Sequence, residues 1–280
     1  MEEDQINSER SKALIFFEAL ALCTITVIAG GVIGVLFFAI QSIGKLKIDQ
    51  KLIMAMGNSL SFGFAIWVGL KISKQKYKEV LRLNLPDWKE SVSFIIAAIG
   101  FSIVLSELDN IFSIFFPKWE LFTNLVQGIF NGDNIFLLAI LLSVVAPLTE
   151  EFLFRGVILD RFLRSYSAWA SFLLSAFFFG LIHLNPWQFI GSSILGVYMA
   201  WIVFKTNSIA NSILVHAVFN GTPILILYGF KLEIPGFSIP FPSKIQVLQP
   251  LWLDLLGLLI TCFGLSLTFF LFRRRKEKFG

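Results

Sequence analysis

Long, almost uncharged apolar runs recur along this chain, each close to the roughly 20 residues that an α-helix needs to cross a hydrocarbon layer about 30 Å thick. Lipid offers no water to the backbone, so a spanning segment must satisfy its own N–H and C=O groups, and runs of this length point to helices rather than a barrel. With 56% hydrophobic residues, 15% charged residues and 32 Phe among 280 positions, the composition excludes a soluble domain with a polar face. The expected fold is all-α: a polytopic transmembrane helical bundle of about eight spans, near 13–40, 52–72, 91–115, 134–164, 167–183, 188–204, 208–228 and 252–272.

The polar residues between the runs carry topology. The net charge of +4 comes largely from loops and the C-terminal tail, with no basic patch that would fit nucleic acid. Lys45, Lys47 and Lys51 form a first basic loop; Lys71, Lys74, Lys76, Lys78, Arg82 and Lys89 form the most basic one. Counted over eight spans, Lys and Arg concentrate on the side of both termini, which predicts cytoplasmic termini in a cell membrane. Residues 1–12 and 273–280 read as tails around one transmembrane domain, 13–272. The first run is far longer than a signal-peptide core and is expected to remain as a span. An amphipathic piece from Trp119 to about Gly132 reads as interfacial, and a loop is expected over 230–250. Cys23 and Cys262 lie in apolar runs without metal-ligand spacing and read as core residues.

Against this background, Glu150, Glu151 and Arg155 stand out at the end of an apolar run. A charge facing hydrocarbon costs roughly 2.5 to 3.5 kcal/mol on insertion scales, so such a cluster faces protein and marks either a site or a buried ion pair that fixes helix packing. Glu151 and Arg155 are spaced i, i+4 with the acid first, the better orientation for a helix ion pair; Glu150, about 100° round the helix, is left for chemistry. The chain has two histidines, His183 and His216, both in apolar stretches. Taken as a helical hairpin turning near Tyr166, the fourth and fifth spans bring Glu150 and His183 to similar depth, roughly 25 Å from the tip at about 1.5 Å rise per residue. Phe179 precedes His183 by one turn, and Asn220 follows His216 by one turn, so each pair shares a helix face.

A carboxylate, two histidines and an amide in a dry cavity suit hydrolysis. Burial raises a carboxyl pKa toward that of a useful base, so Glu150 would take a proton from water that His183 helps to hold. His216 and Asn220 would donate to the oxyanion formed at an amide carbonyl. The same Glu150, His183 and His216 also match a zinc set with an open position, although the spacing is not that of a zincin helix; no cofactor is favoured, and both mechanisms stay open.

Glu150-Glu151-x-x-x-Arg155, Phe179-x-x-x-His183 and His216-x-x-x-Asn220, in that order on three apolar segments, resemble the signature of the CPBP family of intramembrane proteases, which includes the type II CAAX prenyl endopeptidases and the Abi or bacteriocin-immunity proteins. The resemblance covers about 134–228. It implies a glutamate-dependent peptidase with an eight-helix core, in which Glu150 and His183 activate water while His216 and Asn220 stabilise the oxyanion, with Glu151, Arg155 and Phe179 in support. It also implies a membrane-associated protein or lipidated peptide as substrate. A non-hydrolytic membrane protein, either a transporter or an immunity factor that binds a partner, is the alternative; the chain shows no internal repeat of the kind transporters carry. Trp187 and Trp201 read as interface anchors or core, Asn207 and Asn211 as cap and packing residues. Glu107 and Asp109 show no facing base in the sequence, and Asp254 reads as solvated.

Overall fold

The computed structural model describes residues 2–44, 48–130, 134–238 and 247–279. Lys45 and Lys47 of the first basic loop, Gly132 at the end of the amphipathic piece and 239–246 of the expected 230–250 loop lie outside the described residues, as do the side chains of 275–279. Every regular element among the described residues is helical: α1 (Glu2–Gly44), α2 (Gln50–Ser73), α3 (Trp88–Phe115), α4 (Glu120–Phe130), α5 (Ile135–Leu163), α6 (Ala168–Leu181), α7 (Pro186–Thr206), α8 (Ile209–Gly229) and α9 (Leu251–Phe279), with one further turn of helix at Tyr77–Val80. Seven of these are long and apolar enough to cross a membrane, so the protein is an integral, multi-pass helical membrane protein.

The expected fifth span differs from the rest. Helix α6 has only 14 residues, about 21 Å at 1.5 Å rise per residue, less than the hydrocarbon thickness. It stops at Leu181, before His183. Asn185-Pro186, just beyond that end, starts the next helix: Asn185 Oδ1 accepts from the backbone N–H of Gln188 at 2.9 Å, and Pro186 occupies the first helical turn, where no N–H is needed. The helix-count parity behind the expected location of the termini therefore hangs on α6. Other starts follow the same capping chemistry, with Asp49 accepting from Lys51 N and Asp87 from Lys89 N, each at 2.8 Å.

The chain divides into two compact units, 1–84 with 145–212 and 85–144 with 213–280. In the first, Leu159, Phe172, Ala200 and Val203 form a buried core against which Leu163, Ala168, Val197 and Trp201 pack. Trp187 is buried, so it is core and not an interface anchor. Glu18 on α1 pairs with Arg161 on α5, and the Tyr166 hydroxyl donates to the Lys12 carbonyl at 2.9 Å. In the second unit α3 and α9 approach closely because small residues face each other: a Cβ at Gly100 would collide with the Thr261 backbone, and one at Gly264 with Ala97. Ser93 and Thr268 share a hydrogen bond of 3.0 Å at the same contact. Cys262 on α9 is exposed, unlike buried Cys23, and so is not the core residue expected.

Helix α5 is not uniform. Two π-helical turns, Leu141–Val145 and Phe152–Ile158, flank the α-helical Ala146–Glu151, which has Pro147 in its first turn. Proline lacks the N–H that the preceding turn would use, and a widened turn is one way a helix absorbs that loss. In α8, Pro223 similarly precedes a π-helical turn at Leu225–Gly229.

Candidate functional site

In the first unit Glu151, Arg155, Phe179 and His183 form one contact series. Glu150 and Glu151 are both buried, and Arg155, with no exposed surface, donates from Nη1 to Glu151 Oε1 at 3.0 Å. The i, i+4 pairing expected of Glu151 and Arg155 is thus present across the junction with the wide turn. The Arg155 guanidinium lies 4.1 Å above the Phe179 ring, which offers its negative face to the cation. Gly196 on α7 makes room for this head group, since a Cβ there would come within 3.1 Å of Arg155 Nη2. Phe179 in turn meets Phe154 edge-on at 5.3 Å and His183 at 5.4 Å.

His183 sits in the turn between α6 and α7, where Leu184 takes a left-handed conformation (φ 56°). Asn185 Nδ2 donates to the His183 carbonyl at 2.9 Å and fixes the turn. His183 Nδ1 is 2.9 Å from the Phe179 carbonyl oxygen. A carbonyl only accepts, so Nδ1 carries a proton, and in the neutral form of such a ring Nε2 is the acceptor. The ring is half-buried, able to meet a water or a substrate.

In the second unit, His216 is buried on α8 and Asn220 lies one turn on. Asn220 Nδ2 donates to the Leu142 carbonyl at 2.9 Å, within the first π-helical turn of α5. An amide NH2 has two protons, so this bond orients the group and leaves a second donor. Ser102 Oγ donates to the Phe219 carbonyl at 2.9 Å and ties this stretch of α8 to α3. Among the described residues no three His, Cys, Asp or Glu side chains group closely enough to hold a metal ion.

Several residues near the motif were not singled out by their sequence. Thr149, beside Glu150, donates through Oγ1 to Asn58 Oδ1 on α2. Ser175 Oγ donates to the Phe154 carbonyl at 3.0 Å. Arg82, counted in the sequence only as a loop charge, reaches the Arg155 carbonyl and Asp160. Burial pulls its guanidinium below the usual arginine range, and Asp160 opposes that shift. The partners of Asn58 and Arg82 lie 91 and at least 73 residues away along the chain, beyond any helical spacing.

Other expectations resolve locally. Asp109 does have a base, Lys118, and Glu107 Oε2 accepts from Asn110 Nδ2 and the Gln249 backbone N–H, each at 2.9 Å. Asp254 is half-buried with Oδ1 sealed from solvent, not simply solvated. Asn207 caps the end of α7 with φ 53°, and Asn211 is fully buried.

Residues 132–222 match the family model described as type II CAAX prenyl endopeptidase Rce1-like. Two proteins of Lactococcus lactis subsp. lactis (strain IL1403) are similar to parts of the chain. UPF0177 protein YxdF is 31% identical over 99 residues, 34% of this chain and 54% of that protein. UPF0177 protein YaiF is 33% identical over 79 residues, 28% of this chain and 35% of that protein. The matched region thus spans about half of the first relative and about a third of the second. No solved structure matches the chain. Over residues 132–222, which hold every motif position from Glu150 to Asn220, this chain is similar to the Rce1-like type II CAAX prenyl endopeptidases, the resemblance its motifs carry.

Proposed function

We propose that this protein is an intramembrane endopeptidase that hydrolyses a peptide bond of a membrane-associated protein or lipidated peptide. The observation that carries the reading is the series Glu151, Arg155, Phe179, His183, with Glu150 beside Glu151 and the His183 Nδ1 proton committed to a backbone carbonyl. That commitment presents Nε2 to a water. Glu150 removes a proton from the water as its oxygen attacks the amide carbon; the C=O electrons move to oxygen; the C–N bond then breaks as the leaving nitrogen takes a proton back. The resemblance assigns the oxyanion to His216 and Asn220, and the second amide proton of Asn220 suits that role. For this pair the support is the motif and its spacing. No cofactor is needed for this path; zinc on Glu150, His183 and His216 is the competing one. The bilayer and a membrane-bound substrate are the partners, and the cell membrane with cytoplasmic termini is the location that the charge distribution favours.

The test is cleavage of a membrane-peptide library by purified protein, comparing wild type with Glu150→Ala and His183→Ala at equal folded yield, each with and without a chelator. Cleavage lost in both variants and indifferent to chelator is the expected result. Loss on chelation with recovery on zinc would move these residues to metal ligands. Variants that cleave like wild type would remove the site.

A further inference from the structure

The segment that carries Arg155 is a π-helical turn, in which Phe154 O keeps the i, i+5 bond from the Leu159 backbone N–H. Two consecutive carbonyls of this turn also accept from side chains outside the helix. Ser175 Oγ donates to Phe154 O at 3.0 Å, and Arg82 Nη1 donates to Arg155 O at 3.3 Å. Arg82 Nη2 also donates to Asp160 Oδ1 at 3.2 Å, while Asp160 Oδ2 accepts from Arg164 Nε at 2.8 Å. One guanidinium therefore bridges residues 155 and 160, five apart, the interval of a π-helical rather than an α-helical bond.

Arg82 is itself held firmly. Leu81 lies against Gly156, where an added Cβ would come within 2.7 Å of Leu81 Cδ2. The Ile209 backbone N–H donates to the Arg82 carbonyl at 3.1 Å. Asn84 Nδ2 donates to the Asn207 carbonyl at 2.7 Å, and Ser208 Oγ returns a bond to the Asn84 carbonyl at 2.6 Å. Within this strap Arg82 has a left-handed backbone (φ 46°), a conformation that non-glycine residues hold only where their surroundings impose it.

We propose that Arg82 is a positioning residue: it keeps the 152–158 turn in its wide register, and so sets the Arg155 head group between the Glu150–Glu151 carboxylates and the Phe179–His183 pair. Its effect on catalysis rests on the peptidase reading above; its hold on the turn does not. Arg155 is tied at both ends, by its carbonyl to Arg82 and by its side chain to Glu151. Releasing the first tie frees the turn to close toward α-helical register and rotates the second.

The full chain in lipid nanodiscs is compared as wild type, Arg82→Ala, Arg82→Lys and Ser175→Ala, by hydrogen exchange of backbone amides and by kcat and KM on a peptide that wild type cleaves. In Arg82→Ala, exchange over 152–158 rises about tenfold or more while α3 is unchanged, and kcat falls about tenfold or more with KM held within about twofold. Arg82→Lys, which keeps a charged donor, recovers part of both; Ser175→Ala loosens the same amides to a smaller extent. Unchanged exchange at 152–158 in Arg82→Ala overturns the proposal. So does a rise in KM at constant kcat, which marks substrate contact, or loosened amides with unaltered kcat, which marks a purely structural strap. A wild type that cleaves nothing sinks the peptidase reading alone, and the exchange measurement then decides whether Arg82 holds the turn.

Discussion

The carboxylates Glu150 and Glu151 on α5 and Glu107 on α3 lie within apolar helices, and their surroundings differ in kind. In the first unit, Glu150 and Glu151 lie beside an arginine with no exposed surface, itself stacked on an aromatic ring that touches a histidine. In the second, Glu107 accepts from the side chain of Asn110 and the backbone of Gln249, and Asn110 also donates to the Gly236 carbonyl at 2.7 Å. Gln249 Nε2 completes the node by donating to the Ile103 carbonyl at 3.1 Å. The first centre is buried and sets its carboxylates against a cation, while the half-buried second one is met by neutral donors. The second spends its bonds on holding the segments around Gly236 and Gln249 to α3. An acid within a membrane helix needs polar neighbours, and here these are a cation in one unit and amide donors in the other.

Four substitutions bear on this contrast. Glu150→Gln keeps shape and removes the base, and should lower kcat by about a hundredfold to ten-thousandfold, read by initial cleavage rates at saturating substrate. Arg155→Ala leaves buried carboxylates without their cation and should destabilise the fold by about 3–5 kcal/mol, read by denaturant unfolding in mixed micelles. Glu107→Gln retains an oxygen acceptor for Asn110 and the Gln249 amide. It should cost about 1–2 kcal/mol in the same unfolding measurement while cleavage stays within about twofold of wild type. A cleavage loss as deep as that of Glu150→Gln would break the division of roles. Asp109→Asn, which removes the partly exposed pair with Lys118, should change stability by less than about 1 kcal/mol and leave cleavage alone.

Two of the side-chain contacts were readable along the chain because each joins residues four apart. Glu151 with Arg155, and Phe179 with His183, meet at the i, i+4 spacing that helical geometry dictates. The apolar runs were readable for a similar reason, since the helix-per-span rule acts on composition over about 20 residues. Ends and turns were less so. Asn185-Pro186 carries the chemistry of both a stop and a start, and only the observed bond to Gln188 N chooses between them. Lys118 reaches Asp109 from beyond the end of α3, so no helical period connects them.

By itself the sequence determined an all-helical membrane protein, the order of three polar motifs on apolar segments, and the four-residue spacing within them. These follow from local rules of periodicity and burial. The tertiary structure decided which outside groups meet the motif residues and their neighbours: Arg82 on the Arg155 carbonyl, Ser175 on the Phe154 carbonyl, Asn58 on Thr149, and the Phe179 carbonyl on His183 Nδ1. It also decided that α5 opens into wide turns at both sides of its two glutamates. The physical reason is that a carbonyl has two lone pairs and can accept from whichever donor the fold brings to it, and that donor can come from anywhere in the chain.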